Sequence, residues 1–381
     1  MKFLLTLQRL FTFGLCAFIS IYVQAQTISP VTLAKGLENP WGVAFLPDGK
    51  FLVTERPGRI RIIDSNGKIN PPLLGVPEVV ERGQGGMLDI ITDSAFAQNR
   101  TFYFCYSEPA SVTEPGNSAN STALAKARLS IDNTRLEDVK VIFRQMPRVQ
   151  SSLHFGCRIV EALNNGKPDG NLFLTLGDRF ARKDDAQTLD NHHGKVVRIT
   201  KDGQSPKDNP FIGDAKAKPE IWSYGHRNLQ GAALAADGTL WTHEHGPQGG
   251  DELNIEKAGK NYGWPVITFG KNYVIGTTIG EGTERADIEP AVKTWVPSIA
   301  PSGMTFLSSD KYGANWKGNV FIGSLKFNYL SRIELDSKKF VRESRLLEDV
   351  GQRIRDVRQG PDGLLYVLTD ARDGRLIRLQ P

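Results

Sequence analysis

The sequence predicts an all-β protein, and within that class a six-bladed β-propeller with four-stranded antiparallel blades. Three observations support this prediction. Pairs of apolar strands joined by a tight polar turn recur along the chain, six such units can be counted, and helical periodicity is scarce. With 381 residues, including 38 glycines and 21 prolines, the chain is long enough for a large core and rich in turns.

The repeating unit is clearest where Asp-Gly separates two alternating apolar runs, which is a strong β-hairpin signal. It reads GVAFLPDGKFLVTE over 42–55, GAALAADGTLWTHE over 231–244 and DVRQGPDGLLYVLTD over 356–370, and weaker copies begin at residues 87, 158 and 303. The six units fill residues 26–381, which we expect to form one propeller. Two β-sandwiches with chance hairpins are the alternative. The six turn positions are Gly49, Arg100, Gly170, Gly238, Gly318 and Gly363.

Residues 1–25 have the pattern of a secretory signal peptide. Lys2 and Arg9 supply positive charge, an apolar run extends over 10–23, and Val23-Gln24-Ala25 resembles a cleavage site. The alternative is a membrane anchor, but the apolar run is short for a span of about 20 residues. We therefore expect a periplasmic or secreted protein without a stable membrane span after cleavage.

The charge balance argues against nucleic acid as a partner. Of 47 Lys and Arg, two lie in the signal segment, so the mature chain has 45 basic and 42 acidic residues, a net charge of +3 with no basic run. Cys105 and Cys157 remain after cleavage. The favoured interpretation is two free or buried thiols, and a disulfide is the alternative open to an exported protein.

The six histidines all lie between residues 154 and 245. Zinc would need three or four His or Cys ligands in a tetrahedron, and neither His192-His193 nor His243-x-His245 has that spacing, because neighbours on a strand point to opposite faces. His154 follows a polar turn and precedes an apolar strand. A neutral imidazole at the channel mouth would suit a general base, although a histidine in this position is more often simply packed.

Oxygen donors and cations suggest a different ligand. Gly246-Pro247, Asp251-Glu252 and Tyr262 offer carbonyl and carboxylate oxygens on rigid turns, which suits calcium, or else they form a solvated loop. Near the C-terminus, Arg353 and Arg355 are two residues apart, so on a strand both side chains face one side and could clamp an anion. Lys326 adds a third late cation.

Seven motifs in this order resemble the soluble glucose/sorbosone dehydrogenase family, and in particular its periplasmic aldose sugar dehydrogenases, which use pyrroloquinoline quinone (PQQ). The resemblance extends from about Leu37 to the C-terminus. Its motifs are GQGGMLDI (83–90), HFGCRI (154–159), YGHRNLQG (224–231), HEHGPQGGDELN (243–254), NYGWP (261–265), GSLK (323–326) and RIRDV (353–357).

This resemblance implies PQQ- and Ca²⁺-dependent oxidation of aldoses at C1 to the lactone. His154 then resembles the general base, and Gln84 the residue that helps to orient the sugar. Arg227 and Asn228 match positions that bind the quinone, and Arg227 would also stabilise charge on its reacting oxygen.

The resemblance further implies two calcium ions and a set of cations around the cofactor. Lys326, Arg353 and Arg355 match residues beside the cofactor's carboxylates and the sugar. The carbonyl oxygens of Gly246 and Pro247 match the ligands of the ion that bridges protein and cofactor. Glu252 and Tyr262 match ligands of a second, structural calcium ion.

The chain also departs from the glucose dehydrogenases of this family. Leu153 stands where they carry an acid just before the base, which leaves open what orients His154. The segment between Gly270 and Ala300 is short, which implies a more open site and a broader sugar range.

Two other functions would also use such a propeller. A calcium-dependent lactonase would explain the oxygens and His154 but not the cations, and a non-catalytic binding propeller would need no cofactor. The predicted partners are an aldose and an electron acceptor that the sequence does not identify.

Overall fold

Six small antiparallel sheets form a ring, as predicted for a six-bladed propeller. A computed structural model describes residues 28–110 and 118–381, so the signal-peptide prediction for 1–25 lies outside the described residues. Five sheets have four strands and one has three. Among the described residues, no helix is long and apolar enough to cross a membrane.

We label the strands β1 to β23 in chain order. Blade 1 has three strands: β2 (Pro40–Phe45), β3 (Phe51–Glu55) and β4 (Arg59–Ile63). Blade 2 has four: β5 (Met87–Thr92), β6 (Thr101–Pro109), β7 (Asn120–Leu129) and β8 (Leu136–Arg144). Blade 3 consists of β9 (Ile159–Asn164), β10 (Lys167–Thr175), β11 (Lys195–Thr200) and β12 (Ile221–Tyr224).

The remaining blades complete the circle. Blade 4 consists of β13 (Leu229–Leu234), β14 (Leu240–Glu244), β15 (Asp251–Ile255) and β16 (Lys293–Trp295). Blade 5 consists of β17 (Pro301–Phe306), β18 (Val320–Ser324), β19 (Leu330–Asp336) and β20 (Lys339–Leu346). Blade 6 combines β21 (Ile354–Gln359), β22 (Leu365–Thr369) and β23 (Gly374–Gln380) with the N-terminal strand β1 (Ser29–Leu37). The helices are short: α1 (Phe96–Asn99) and two 3₁₀ turns, Lys183–Gln187 and Glu348–Val350.

The predicted repeat is the inner hairpin of each blade. All six predicted turn positions adopt positive φ, between 55° at Arg100 and 86° at Gly170. This left-handed conformation suits glycine, which explains the Asp-Gly signal. The N-terminal strand β1 pairs antiparallel with β23, so the last blade combines strands from both ends of the described chain and closes the ring.

The core lies between the blades. Along β6, Phe102 and Phe104 pack toward blade 1, whereas Tyr103 and Cys105 pack toward blade 3. The second strands are therefore buried on both faces, which accounts for their continuous apolar runs.

The two cysteines form a disulfide, so the favoured interpretation of two thiols was wrong. Cys105 on β6 is bonded to Cys157, just before β9, and the bond joins neighbouring blades across 52 residues. Both residues are fully buried in the same interface. In the chain-entropy model, a loop of this length stabilises the fold by about 4 kcal/mol through the unfolded chain.

Candidate functional site

Antiparallel topology gathers the candidate residues at one mouth of the channel. The first strand of each blade begins at this end, and the second strand ends there. The candidates lie beside those strand ends, as the sequence predicted. The ones near the start of an inner strand are Gln84, His154, Arg227, Asn228, Arg353 and Arg355, and the ones after a second strand are Gly246, Pro247 and Lys326.

His154 is held from two sides in the loop before β9. Its backbone N–H donates to Oε1 of Gln84 at 2.8 Å, and its imidazole Nδ1 lies 2.6 Å from Oδ1 of Asp178. The side chain is almost fully buried, at 5% exposure, with Phe180 at its edge. The structure thus brings Gln84 to His154, and it adds Asp178, which the sequence had not singled out.

Asp178 fixes the tautomer of His154. Its carboxylate also accepts hydrogen bonds from Trp264 Nε1 at 2.7 Å and from the backbone N–H of Phe180 at 2.7 Å. A carboxylate surrounded by donors is an acceptor, so Nδ1 of the imidazole carries the proton. Nε2 is then the basic nitrogen, and it has no hydrogen-bond partner among the described residues.

The residue that orients His154 is Asp178, although Leu153 stands where the glucose dehydrogenases of the family carry an acid. The acid that orients His154 comes from the loop after β10 rather than from the residue before the base. Gly177 permits this approach, because a Cβ at that position would lie 2.1 Å from the backbone oxygen of His154.

Burial keeps the His154 imidazole neutral. It lowers the pKa of His154 below its ordinary value, and the Asp178 carboxylate opposes that change. The positive charges of Arg227 and Arg179 lower the pKa further. An imidazole with a lowered pKa can accept a proton at neutral and mildly acidic pH.

Arg227 and Asn228 lie directly before β13. Nη1 of Arg227 donates to the carbonyl oxygens of Gly246 at 2.7 Å and His245 at 3.0 Å, while Nη2 lies 3.4 Å from the hydroxyl of Tyr273. Oδ1 of Asn228 accepts from the backbone N–H of Gly156. The structure therefore brings Arg227 to the carbonyl that the resemblance assigned to calcium.

Of the three cations near the C-terminus, the structure brings Arg353 and Arg355 together but leaves Lys326 apart. Arg353 and Arg355 do face one side, and the anion they share is Asp370, whose Oδ2 lies 3.5 Å and 2.6 Å from their guanidiniums. Arg355 is buried and Arg353 half exposed. Exposed Lys326 packs over the ring of Phe327 and has no ion pair among the described residues.

Asp251 uses its carboxylate to hold the surrounding loops together. Its carboxylate accepts from the backbone N–H groups of Gly246, Ile299 and Ala300 and from the Ser298 hydroxyl. All of its oxygen capacity is used within the protein. Asp251 thereby fixes the turn that presents the Gly246 carbonyl.

Glu252 has the properties of a cation ligand. Burial, and then the neighbouring charge of Glu244, raise its pKa to about 8. Its hydrogen-bond donor is the Asn254 amide at 3.3 Å, and no cationic side chain pairs with it among the described residues. Tyr262 lines the same cavity. A partly buried carboxylate without a cationic partner is costly to ionise, and a divalent cation would relieve that cost.

The charges around Glu252 support the same conclusion. The His226 imidazole lies 2.9 Å from Glu244 and 3.6 Å from Glu256. Burial disfavours its charge, but Glu256 and Glu244 outweigh burial and raise the pKa of His226 to about 10. One imidazolium beside three carboxylates leaves the cluster negative.

Among the residues that the structure describes, no three His, Cys, Asp or Glu side chains group as metal ligands, and this holds for the zinc and the calcium candidates alike. The other histidines make ordinary hydrogen bonds, and His192 and His193 use both ring nitrogens. His192 bonds to Glu220, His193 to Asp185 and His245 to the Pro301 carbonyl.

Comparisons with known proteins agree with this architecture. A sequence model of the glucose/sorbosone dehydrogenase family matches residues 37–378. Aldose sugar dehydrogenase YliI of Escherichia coli strain K12 is 43% identical over 371 residues, 96% of each chain. The apo-form crystal structure of the soluble aldose sugar dehydrogenase of E. coli has a TM-score of 0.87 at 43% identity and covers 93% of this chain and 100% of that one. The PQQ-bound aldose sugar dehydrogenase of Streptomyces coelicolor has a TM-score of 0.75 at 27% identity, with 93% and 98% covered.

Proposed function

The chain belongs to the glucose/sorbosone dehydrogenase family, and on that premise we propose that it is a PQQ- and calcium-dependent enzyme that oxidises aldoses at C1 to the lactone. The observation that carries the proposal is the imidazole of His154 at the channel mouth. Its Nδ1 is bonded to Asp178, and its Nε2 is left to accept a proton.

His154 removes the proton of the C1 hydroxyl through Nε2. The imidazolium that results stays bonded to the Asp178 carboxylate, which stabilises its charge and holds the ring in place. Gln84, bonded to the backbone of His154, lies beside the path of the sugar. Bound PQQ would supply the electrophile that accepts the C1 hydride, and the C1–O bond becomes the lactone carbonyl.

The donor set at the mouth fits an acidic quinone. PQQ carries three carboxylates, and Arg227, Lys326, Arg353 and Arg355 provide cations, with Asn228 as a further polar group. Lys326 lacks an ion pair among the described residues, and Arg353 lies 3.5 Å from its acid, so both can turn to a ligand.

Calcium fits two places. The carbonyl oxygens of Gly246 and Pro247 would bind the ion next to the cofactor, and Arg227 would then exchange its bond to Gly246 for the cofactor. Glu252 and the Tyr262 carbonyl would hold the structural ion. Export through the 1–25 segment would place the enzyme in the periplasm or outside the cell, and its electron acceptor is not assigned.

Reconstitution tests the function directly. Protein freed of metal by a chelator should reduce an artificial dye only after Ca²⁺, PQQ and an aldose have all been added, because the proposed chemistry requires each. Dye bleaching across an aldose panel measures this. Bound PQQ without oxidation of any aldose would contradict the proposal, and hydrolysis of lactones without quinone would favour a lactonase.

Glu252→Gln should abolish most of the thermal stabilisation by calcium. The amide keeps the shape of the side chain but removes the carboxylate charge that attracts the ion. We expect the wild-type melting temperature to rise on replacing EGTA by excess Ca²⁺, and the variant's rise to be much smaller. Glu284→Gln, an exposed acid lining a cavity shared with Glu252, is the matched control and should respond like the wild type. Equal responses of wild type and Glu252→Gln would remove Glu252 from the ion site.

A further inference from the structure

Arg179, the residue after Asp178, is a fully buried cation without an acidic partner. Its Nη2 donates to Oδ1 of Asn120 at 2.6 Å and to the carbonyl of Ser151 at 2.9 Å. Its guanidinium lies flat over Phe155, 3.7 Å from the ring centre. Nε and Nη1 have no hydrogen-bond partner, and no carboxylate forms an ion pair with it among the described residues.

These contacts hold the loop that carries His154, residues 151–155, on both sides of the imidazole. Ser151 lies three residues before the imidazole and Phe155 one residue after it. The Ser151 hydroxyl returns a hydrogen bond to the Arg179 carbonyl at 3.1 Å. Asp178 and Arg179 are adjacent, so one short segment orients the ring and clamps the loop that carries it.

Burial of an unpaired guanidinium is expensive. It lowers the pKa of Arg179 to about 9, with the Asp178 charge opposing the change, so the side chain remains charged at neutral pH. A methionine or leucine could fill this space without the electrostatic cost. Packing alone therefore does not explain an arginine here.

The charge lies beside the proposed base. The charged groups that face the His154 imidazole are Asp178, Arg179 and Arg227, while Phe180 contributes only an aromatic edge. Asp178 alone would favour the imidazolium, which cannot accept a proton. A fixed positive charge on the same segment counteracts that effect and leaves the orienting hydrogen bond intact.

We propose that Arg179 is a positioning residue for His154: its guanidinium clamps Ser151 and Phe155 on either side of the imidazole and places a fixed positive charge in the segment that holds the ring. The role rests on the proposed function of His154 as the base. The Arg179 charge extends the activity of the enzyme toward acidic pH. It also opposes protonation of the His154 imidazole, which the Asp178 carboxylate would otherwise favour.

Two substitutions separate the clamp from the charge. Arg179→Met removes both and should raise the pKa of His154, because one of the positive charges that lower it is lost. Arg179→Gln removes the charge but can still donate to the oxygens of Asn120 and Ser151, so it should also raise that pKa while lowering kcat at neutral pH less than Arg179→Met does. Arg182→Met, a half-exposed arginine of the same loop, should change neither property.

The readout is an NMR titration of the histidine ring signals in the protein without cofactor, with His154→Ala assigning the signal. In the loaded enzyme, the acidic limb of the kcat/KM profile of Arg179→Met should move to higher pH by the same amount as the His154 pKa, so that kcat/KM falls below the wild-type value on that limb. An unchanged His154 pKa in folded Arg179→Met or in folded Arg179→Gln overturns the proposal. The two proposals can fail separately. If the His154 pKa rises in cofactor-free Arg179→Met but the loaded wild-type enzyme oxidises no aldose, the role of Arg179 is supported and the proposed function is rejected.

Discussion

Asp178→Asn should lower kcat for aldose oxidation by about 10²–10⁴-fold while the propeller stays folded. The asparagine amide must face either Trp264 Nε1 or the His154 ring, because Asp178 accepts from both. If the amide NH₂ faces Trp264, it meets the indole N–H, and the hydrogen bond between the two side chains is lost. Facing His154, it donates to Nδ1, moves the ring proton to Nε2 and leaves no base for the sugar hydroxyl.

Dye-coupled turnover of the reconstituted enzyme measures this effect, with PQQ binding followed separately. Asp184→Asn, a highly exposed acid six residues further along, is the control and should retain activity. His154→Ala should lose a similar amount. Because the two residues act as a unit, the double variant should be no slower than His154→Ala alone. If the double variant lost kcat by the product of the two single losses, Asp178 would act independently of His154.

The repeat architecture was accessible from sequence because its signal is local. An Asp-Gly turn between alternating strands specifies a hairpin within about a dozen residues, and every predicted turn position adopts positive φ. The pairing of β1 with β23 was not predicted, since it joins residues some 340 positions apart in the chain without any local cue. The disulfide was missed for the same reason, because it depends on how two blades pack.

The orienting acid of the base was also missed, although the sequence does contain a signal for it. The second strands of five blades end in or near an acid at the channel mouth, and each acid meets a cation or a histidine there. Those acids are Glu55, Glu108, Asp178, Glu244 and Asp370. Blade 5 differs and carries Lys326 near the equivalent strand end.

The roles of individual oxygens could not be predicted from spacing. Asp251 and Glu252 are adjacent, yet one carboxylate accepts three backbone hydrogen bonds and the other has no cationic partner among the described residues. Successive residues of β15 point to opposite faces, so neighbours in sequence meet different environments. Only the packing of the loop around Ser298 distinguishes the structural acid from the candidate ligand.

Arg158→Met should destabilise the protein by about 3–5 kcal/mol, because it removes the centre of a buried charge network at the propeller axis. Arg158 lies just before β9 in blade 3 and is 1% exposed. Its Nη1 pairs with Asp89 of blade 2 at 3.0 Å and with Asp356 of blade 6 at 2.9 Å, and its Nε donates to the Gln230 carbonyl of blade 4 at 2.8 Å.

One guanidinium therefore joins four blades, and the acids it leaves behind cannot reach water. Arg358 also pairs with Asp89 and Asp356, so two arginines balance two acids in the wild-type protein. After Arg158→Met, two buried carboxylates share one cation, and neither is near solvent. The penalty comes from this uncompensated charge, since methionine fills much of the lost volume.

The shift of the urea unfolding midpoint at constant m-value measures the change. Arg342→Met is the matched control: Arg342 pairs with Glu334 at 2.7 Å but is 66% exposed, so its loss should change stability by less than about 1 kcal/mol. Adding Asp89→Asn to Arg158→Met should recover part of the lost stability, because one acid then balances one cation. If the single variant were as stable as the control, the axial network would be interchangeable with apolar packing, and the ring would depend on β1 and the interfaces between blades alone.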